Sequence, residues 1–130
     1  MVDHAGSDAR RLTVDEILRE ASTLLETVRG FAPAQVLLAA DMLVSAFESR
    51  NKVLVFGNGG SASDAEHLAA ELVGRFAHDR QGWPAISLTA DSSVVTAIGN
   101  DYGFDQIFAR QVDALGRQGD IAFAISTSGK

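Results

Sequence analysis

Four short strings in this 130-residue chain carry residue types that can do chemistry. Gly57-Asn58-Gly59-Gly60 combines glycines, which let the backbone approach a ligand, with an amide that both donates and accepts hydrogen bonds. Ser126-Thr127-Ser128-Gly129 offers hydroxyls in succession, a set suited to the oxygens of a single phosphate monoester. His67 and Glu71 stand at i,i+4, which places them side by side on a helix. An imidazole and a carboxylate so placed can serve as metal ligands, or as a ligand and a general base. Asn100 and Asp101, within Gly99-Asn100-Asp101-Tyr102-Gly103, can hydrogen-bond the hydroxyls of a sugar.

Every string also has a plainer reading. A loop of small residues between strand and helix can be a turn and nothing more. His67 and Glu71 can be an incidental pair on a solvated helix face. The Gly99–Gly103 cluster can stop one helix while Asp101 caps the next. Gly57-x-Gly59-x-x-Ala62 also matches the dinucleotide-binding pattern, which wants an acidic residue about 20 positions later. Asp91 lies well beyond that spacing, and a loop of hydroxyls suits one phosphate better than a pyrophosphate. A nicotinamide site is therefore not favoured.

The surrounding pattern says which elements must hold these residues. Residues 1–12 read as a loose tail. Thr13 and Glu16 have capping-box spacing, and apolar residues follow at helical period from Val14 to Val28, ending before Gly30. Pro33 suits the first turn of a second helix with Val36, Leu37, Ala40, Leu43, Val44 and Phe47 on one side. Two such helices ahead of any strand form a helical hairpin that must pack on something else, another subunit included. Val53–Phe56 is a short, continuously apolar run of the kind found in a strand buried on both faces; Pro84 introduces a second run, Ala85–Thr89, and Ile121–Ile125 is a third, buried one. Helices are expected between them at about 61–76, 92–98 and 105–115. Strands alternating with helices make βαβ units and a parallel sheet with right-handed crossovers.

Ligands bind beyond the carboxyl ends of such strands. The loops 57–63, 89–93 and 126–129 fall there. In helix 61–76 the apolar stripe is Ala65, Leu68, Ala69, Leu72, Val73 and Phe76. At about 100° per residue, His67 falls nearly opposite that stripe, with Glu71 beside it one turn on. A core histidine is thereby disfavoured. Trp83 reads as packing and His78 as a surface residue.

Composition narrows the class. With 46% hydrophobic and 22% charged residues, the chain is an ordinary globular one and forms one domain. A net charge of −6 disfavours a nucleic-acid partner, while leaving room for a small anion held by backbone N–H groups. The absence of cysteine excludes disulfides, thiolate zinc sites and cysteine nucleophiles. Without an apolar signal region or a membrane-length run, a soluble cytoplasmic protein is expected. The last strand leads into a loop where a helix should begin, so the sequence is expected to be a truncated form of a longer protein.

Taken in order, Gly57-Asn58-Gly59-Gly60-Ser61-Ala62-Ser63-Asp64-Ala65-Glu66-His67, Ala70-Glu71-Leu72, Asn100-Asp101-Tyr102-Gly103 and Ile125-Ser126-Thr127-Ser128-Gly129 resemble the phosphoheptose isomerases. These are sedoheptulose 7-phosphate isomerases built on the sugar isomerase (SIS) domain, and the likeness runs from about residue 14 to the end. The resemblance implies an α/β fold: an SIS-type doubly wound parallel sheet with an N-terminal helical hairpin, here ending after the third strand. Residues 13–130 would form the SIS domain behind a disordered tail, 1–12.

It further implies conversion of sedoheptulose 7-phosphate to D-glycero-D-manno-heptose 7-phosphate by a cytoplasmic homotetramer. That step enters the synthesis of heptose for lipopolysaccharide and other surface glycans. Asn58, Gly59, Gly60, Asn100 and Asp101 would contact substrate, and Ser126, Thr127 and Ser128 would grip its phosphate. His67 and Glu71 would be zinc ligands, with Glu71 also the acid/base. The family pattern continues past residue 130, with a zinc-binding glutamine and a catalytic histidine that this sequence lacks. Neither nucleic acid nor membrane is implied. The competing reading is a non-catalytic SIS protein that binds a sugar phosphate or a partner, like relatives associated with bacterial replication initiation. Retention of Glu71 favours the enzyme.

Overall fold

The computed structural model describes residues 4–129, with side chains from position 11. Two compact units divide the chain, Met1–Asp41 and Met42–Lys130.

The first unit holds α1 (His4–Arg29) and the beginning of α2 (Ala32–Glu48). Between them the amides of Gly30 and Phe31 bond back to the carbonyls of Thr27 and Val28, each at 3.1 Å, closing the end of α1. The helix does not start at the Thr13 capping box. It runs back to His4, so residues 4–12, expected as tail, are helical. Ala5, Ala9, Arg10, Arg11 and Leu12 are all strong helix formers, and their summed propensity outweighs a capping signal that a Thr inside a helix can equally provide. The remainder of the expected tail, residues 1–3, lies outside the described residues. Many apolar side chains of α1 and of the first half of α2 stay exposed: Leu18 and Leu37 each keep 64% of their surface open, and Leu25 69%.

In the second unit a three-stranded parallel sheet has the order β2-β1-β3, with β1 (Val53–Gly57) between β2 (Ala85–Ser87) and β3 (Ile121–Ile125). Val53 sits opposite both Ala85 and Ile121. The crossovers leave β1 in both directions, which makes the sheet doubly wound. On one face Val53 and Val55 pack with Ala65 of α3 (Gly60–Val73) and with Leu43 and Phe47. On the other, Phe56 meets Phe108 with ring centres 4.9 Å apart. β1 is the strand buried on both faces. β3 is not: Ile121, Phe123 and Ile125 pack inward, whereas Ala122 and Ala124 are exposed. That face is covered over β1, where Leu54 is buried and Phe56 meets Phe108, but left open over β3.

The helices differ from expectation at their ends. The α3 helix stops at Val73, so Phe76 falls beyond it and is 81% exposed. The next, α4 (Ser92–Tyr102), carries Asn100 and Asp101 in its last turn rather than in a loop. Gly103, at φ 96°, ends it. The stretch expected as one helix from Asp105 is a 3₁₀ turn at Phe104–Gln106 followed by α5 (Ala109–Leu115). Asp101 caps nothing there; its carboxylate accepts from Asn100 Nδ2 at 2.8 Å.

Candidate functional site

Chain geometry at the carboxyl end of β1 is set by glycine. Gly59 takes φ 59° and ψ −124°, a conformation essentially closed to other residues, and opens α3. Ser61 N–H then donates to Asn58 O, and Ala62 N–H to Gly59 O, both at 3.1 Å. Gly57 permits the close approach behind them. A methyl group on it would lie 2.7 Å from Ser61 Cβ and 2.8 Å from Ile125 O. The ends of β1, β3 and α3 therefore meet without a side chain between them. In front lies a cavity of about 340 Å³ lined by Asn58, Ser61, Phe108 and Ser126–Ser128. Ser126 Oγ accepts from Gly129 N–H at 3.1 Å and lies 3.4 Å from Ser128 Oγ, curling the loop that lines this space. Asn58 and the serine–threonine loop are thus brought together. Backbone N–H groups at the start of α3 with hydroxyls opposite are what an anion requires.

Asp91, at the end of the second loop, is committed to structure. Its Oδ1 accepts from Ser93 and Val94 N–H at 2.9 and 3.1 Å, capping α4. Buried Gln111 donates to Leu88 O at 2.9 Å and to Ile107 O at 2.8 Å, pinning the chain just after β2. Thr89 Oγ1 reaches Glu66 Oε1 at 3.1 Å, joining that loop to α3.

His67 and Glu71 occupy the outer face of α3, with Nε2 and Oε1 3.2 Å apart. His67 is 74% exposed and Glu71 32%, so this is not a core pair. Both line a larger cleft of about 680 Å³ with Asp64, Leu68, Phe76 and Trp83. Neither lines the Asn58–Ser128 cavity, and nor do Asn100 and Asp101. The expected site residues are therefore spread over two clefts and the end of α4.

A model of the SIS domain matches residues 16–130. The chain belongs to the SIS domain family. Phosphoheptose isomerase of Geotalea uraniireducens is 52% identical to this SIS-domain chain over 89% of it, and that of Pelobacter propionicus 54% over 86%. The chain spans only 63% and 59% of those proteins. Among solved structures, phosphoheptose isomerase from Neisseria gonorrhoeae superposes with a TM-score of 0.83 at 39% identity, covering 90% of this chain and 60% of that one. The Francisella tularensis enzyme gives 0.77 at 41%, covering 88% and 62%.

The resemblance implies zinc on His67 and Glu71. Their converging atoms fit as two ligands of one ion, but a catalytic zinc takes three protein ligands. Among the described residues no group of three His, Cys, Asp or Glu side chains is placed to hold a metal. The pair alone does not make a zinc centre. Nor is any single helix among the described residues long and apolar enough to cross a membrane.

Proposed function

We propose that this chain provides the sugar-phosphate site of an aldose–ketose isomerase acting on sedoheptulose 7-phosphate. The observation that carries this reading is the cavity where Asn58 and Ser126–Ser128 converge on the start of α3, in a chain more than half identical to phosphoheptose isomerases. Phosphate held there leaves the carbonyl end of the sugar free to extend toward a base. The reaction moves one proton between carbons and one between oxygens, and needs no oxidant. A carboxylate removes a proton from C1 of the ketose, the enediolate forms, and the proton returns to C2 as the oxygens exchange theirs. Glu71 is the carboxylate assigned to this transfer, with His67 Nε2 against its Oε1. Asn100 and Asp101, at the end of α4, are assigned to the sugar hydroxyls.

The product would be D-glycero-D-manno-heptose 7-phosphate, a precursor of surface glycans. Zinc on His67 and Glu71 requires ligands beyond this pair, and assembly as a cytoplasmic homotetramer offers the exposed apolar faces of α1 and α2 a covering. Purified protein of full gene length should convert sedoheptulose 7-phosphate, followed as aldose formation or as exchange of the C1 proton with solvent. Absence of both signals would refute the reading.

A further inference from the structure

A helix leaves its last four carbonyls without intrahelical partners. At the end of α3 these belong to Ala70, Glu71, Leu72 and Val73, so Glu71 lies in the turn that is hardest to keep formed. Gly74 N–H bonds Ala70 O at 2.8 Å. The next two carbonyls are closed from a distance in sequence. Arg80 Nη2 donates to Glu71 O at 2.8 Å and Nη1 to Leu72 O at 2.9 Å. Its Nη1 also reaches Gln81 O at 3.0 Å. The guanidinium carbon stands 4.0 Å from the centre of the Trp83 ring, and that indole stacks on Phe47 at 5.1 Å. The backbone N–H of Trp83 adds a second bond to Leu72 O at 2.9 Å. Gly82 lets the segment lie this close, since a Cβ there would be 2.4 Å from Val73 O.

We infer that Arg80 is a positioning residue for Glu71. Its planar fork bridges two adjacent carbonyls, its cationic charge suits a helix C-terminus, and the aromatic stack holds it in place. The backbone that carries the Glu71 carboxylate is thereby fixed, and with it the 3.2 Å approach to His67. A lysine cannot reproduce the bridge, because one ammonium on a flexible stem cannot hold both carbonyls in the fork's geometry. The catalytic consequence rests on the isomerase reading; the structural one does not.

Two measurements on Arg80→Ala and Arg80→Lys separate them. In this chain, NMR should show the Trp83 amide exchanging faster in both variants, together with loss of the contact between the His67 ring and the Glu71 side chain. In protein of full gene length, kcat should fall by about 10- to 100-fold, while KM stays within about twofold, since the phosphate grip is elsewhere. Free guanidinium should partly restore Arg80→Ala. Should the alanine variant fail to fold, Arg80→Lys alone decides. An intact His67–Glu71 contact, an unchanged Trp83 amide, or a wild-type kcat for Arg80→Lys would each overturn the inference. If wild-type protein turns over no substrate, the isomerase reading fails, and the NMR result still decides whether Arg80 positions Glu71.

Discussion

Glu71 is partly exposed and bonded through one oxygen to His67, so its other oxygen can face a substrate. Glu71→Gln preserves size but cannot accept a proton from carbon. In protein of full gene length it should lower kcat by about 10²–10⁴-fold and leave sugar-phosphate binding nearly unchanged; near-normal turnover would remove Glu71 from the mechanism. Ser128→Ala should act on KM instead, because it removes a hydroxyl from the cavity around the non-reacting phosphate. As only two ligands are paired on α3, zinc titrated calorimetrically into the 130-residue chain should bind weakly. Tight stoichiometric binding lost on His67→Ala would show a third ligand in this chain. A different charge answers to pH. Asp120 is desolvated by burial, yet it accepts from the Lys52 ammonium and from the Lys52 and Arg117 amides, and these with the Lys52 charge hold its carboxyl below the usual range. Its contribution to stability is complete above the unfolded-state value and is lost as pH falls through the depressed folded one. Urea unfolding from pH 7 to about pH 3 should therefore show an acid limb that Asp120→Asn flattens. His67 and Glu71 were legible as an outward-facing pair from spacing alone. Arg80 and Gln111 were not, because their partners are backbone carbonyls, which no side-chain pattern announces.

The elements matter here through the places where they touch. At Gly57, β1 lies directly against Ser61 of α3 and the Ile125 carbonyl of β3, and the added methyl of Gly57→Ala can be relieved only by moving one of these elements. The expected cost is about 1–3 kcal/mol in a denaturant titration. Weaker phosphate binding should accompany it, since the same movement parts Asn58 from the serine loop. Gly60→Ala, with nothing within 4 Å, should leave stability nearly unchanged. An equal loss in both variants would mean that backbone freedom, not the close approach, is the reason for Gly57. The strands were readable because continuous apolar runs bounded by glycine and proline have few alternatives. Helix ends were less so. Gly99-Asn100-Asp101-Tyr102-Gly103 is rich in turn formers, yet α4 continues through it until Gly103 adopts a positive φ. The 105–115 stretch breaks where Ile107 must be buried and Phe108 must reach Phe56. These are tertiary demands that override a helical period.

For the molecule as a whole, the exposed leucines of α1 and α2 are the dominant fact. Leu18, Leu25 and Leu37, each more than half open, make apolar faces of a kind seldom left in water. Light scattering at micromolar concentration should report a homo-oligomer, and a stable monomer would count against assembly through these helices. The sequence indicated that the stripes need a cover, but amphipathicity gives neither the number nor the arrangement of partners. One consequence of the strand order concerns handling of the protein. With β1 in the middle, the outer rim of β3 has no strand partner among the described residues, and it runs along Ile-Ala-Phe-Ala-Ile, a segment without a charge or a proline. Such rims template sheet growth. Concentrated, partly unfolded samples of this chain should deposit thioflavin-positive aggregates, and a lysine at Ala122 or Ala124, both exposed, should slow their appearance.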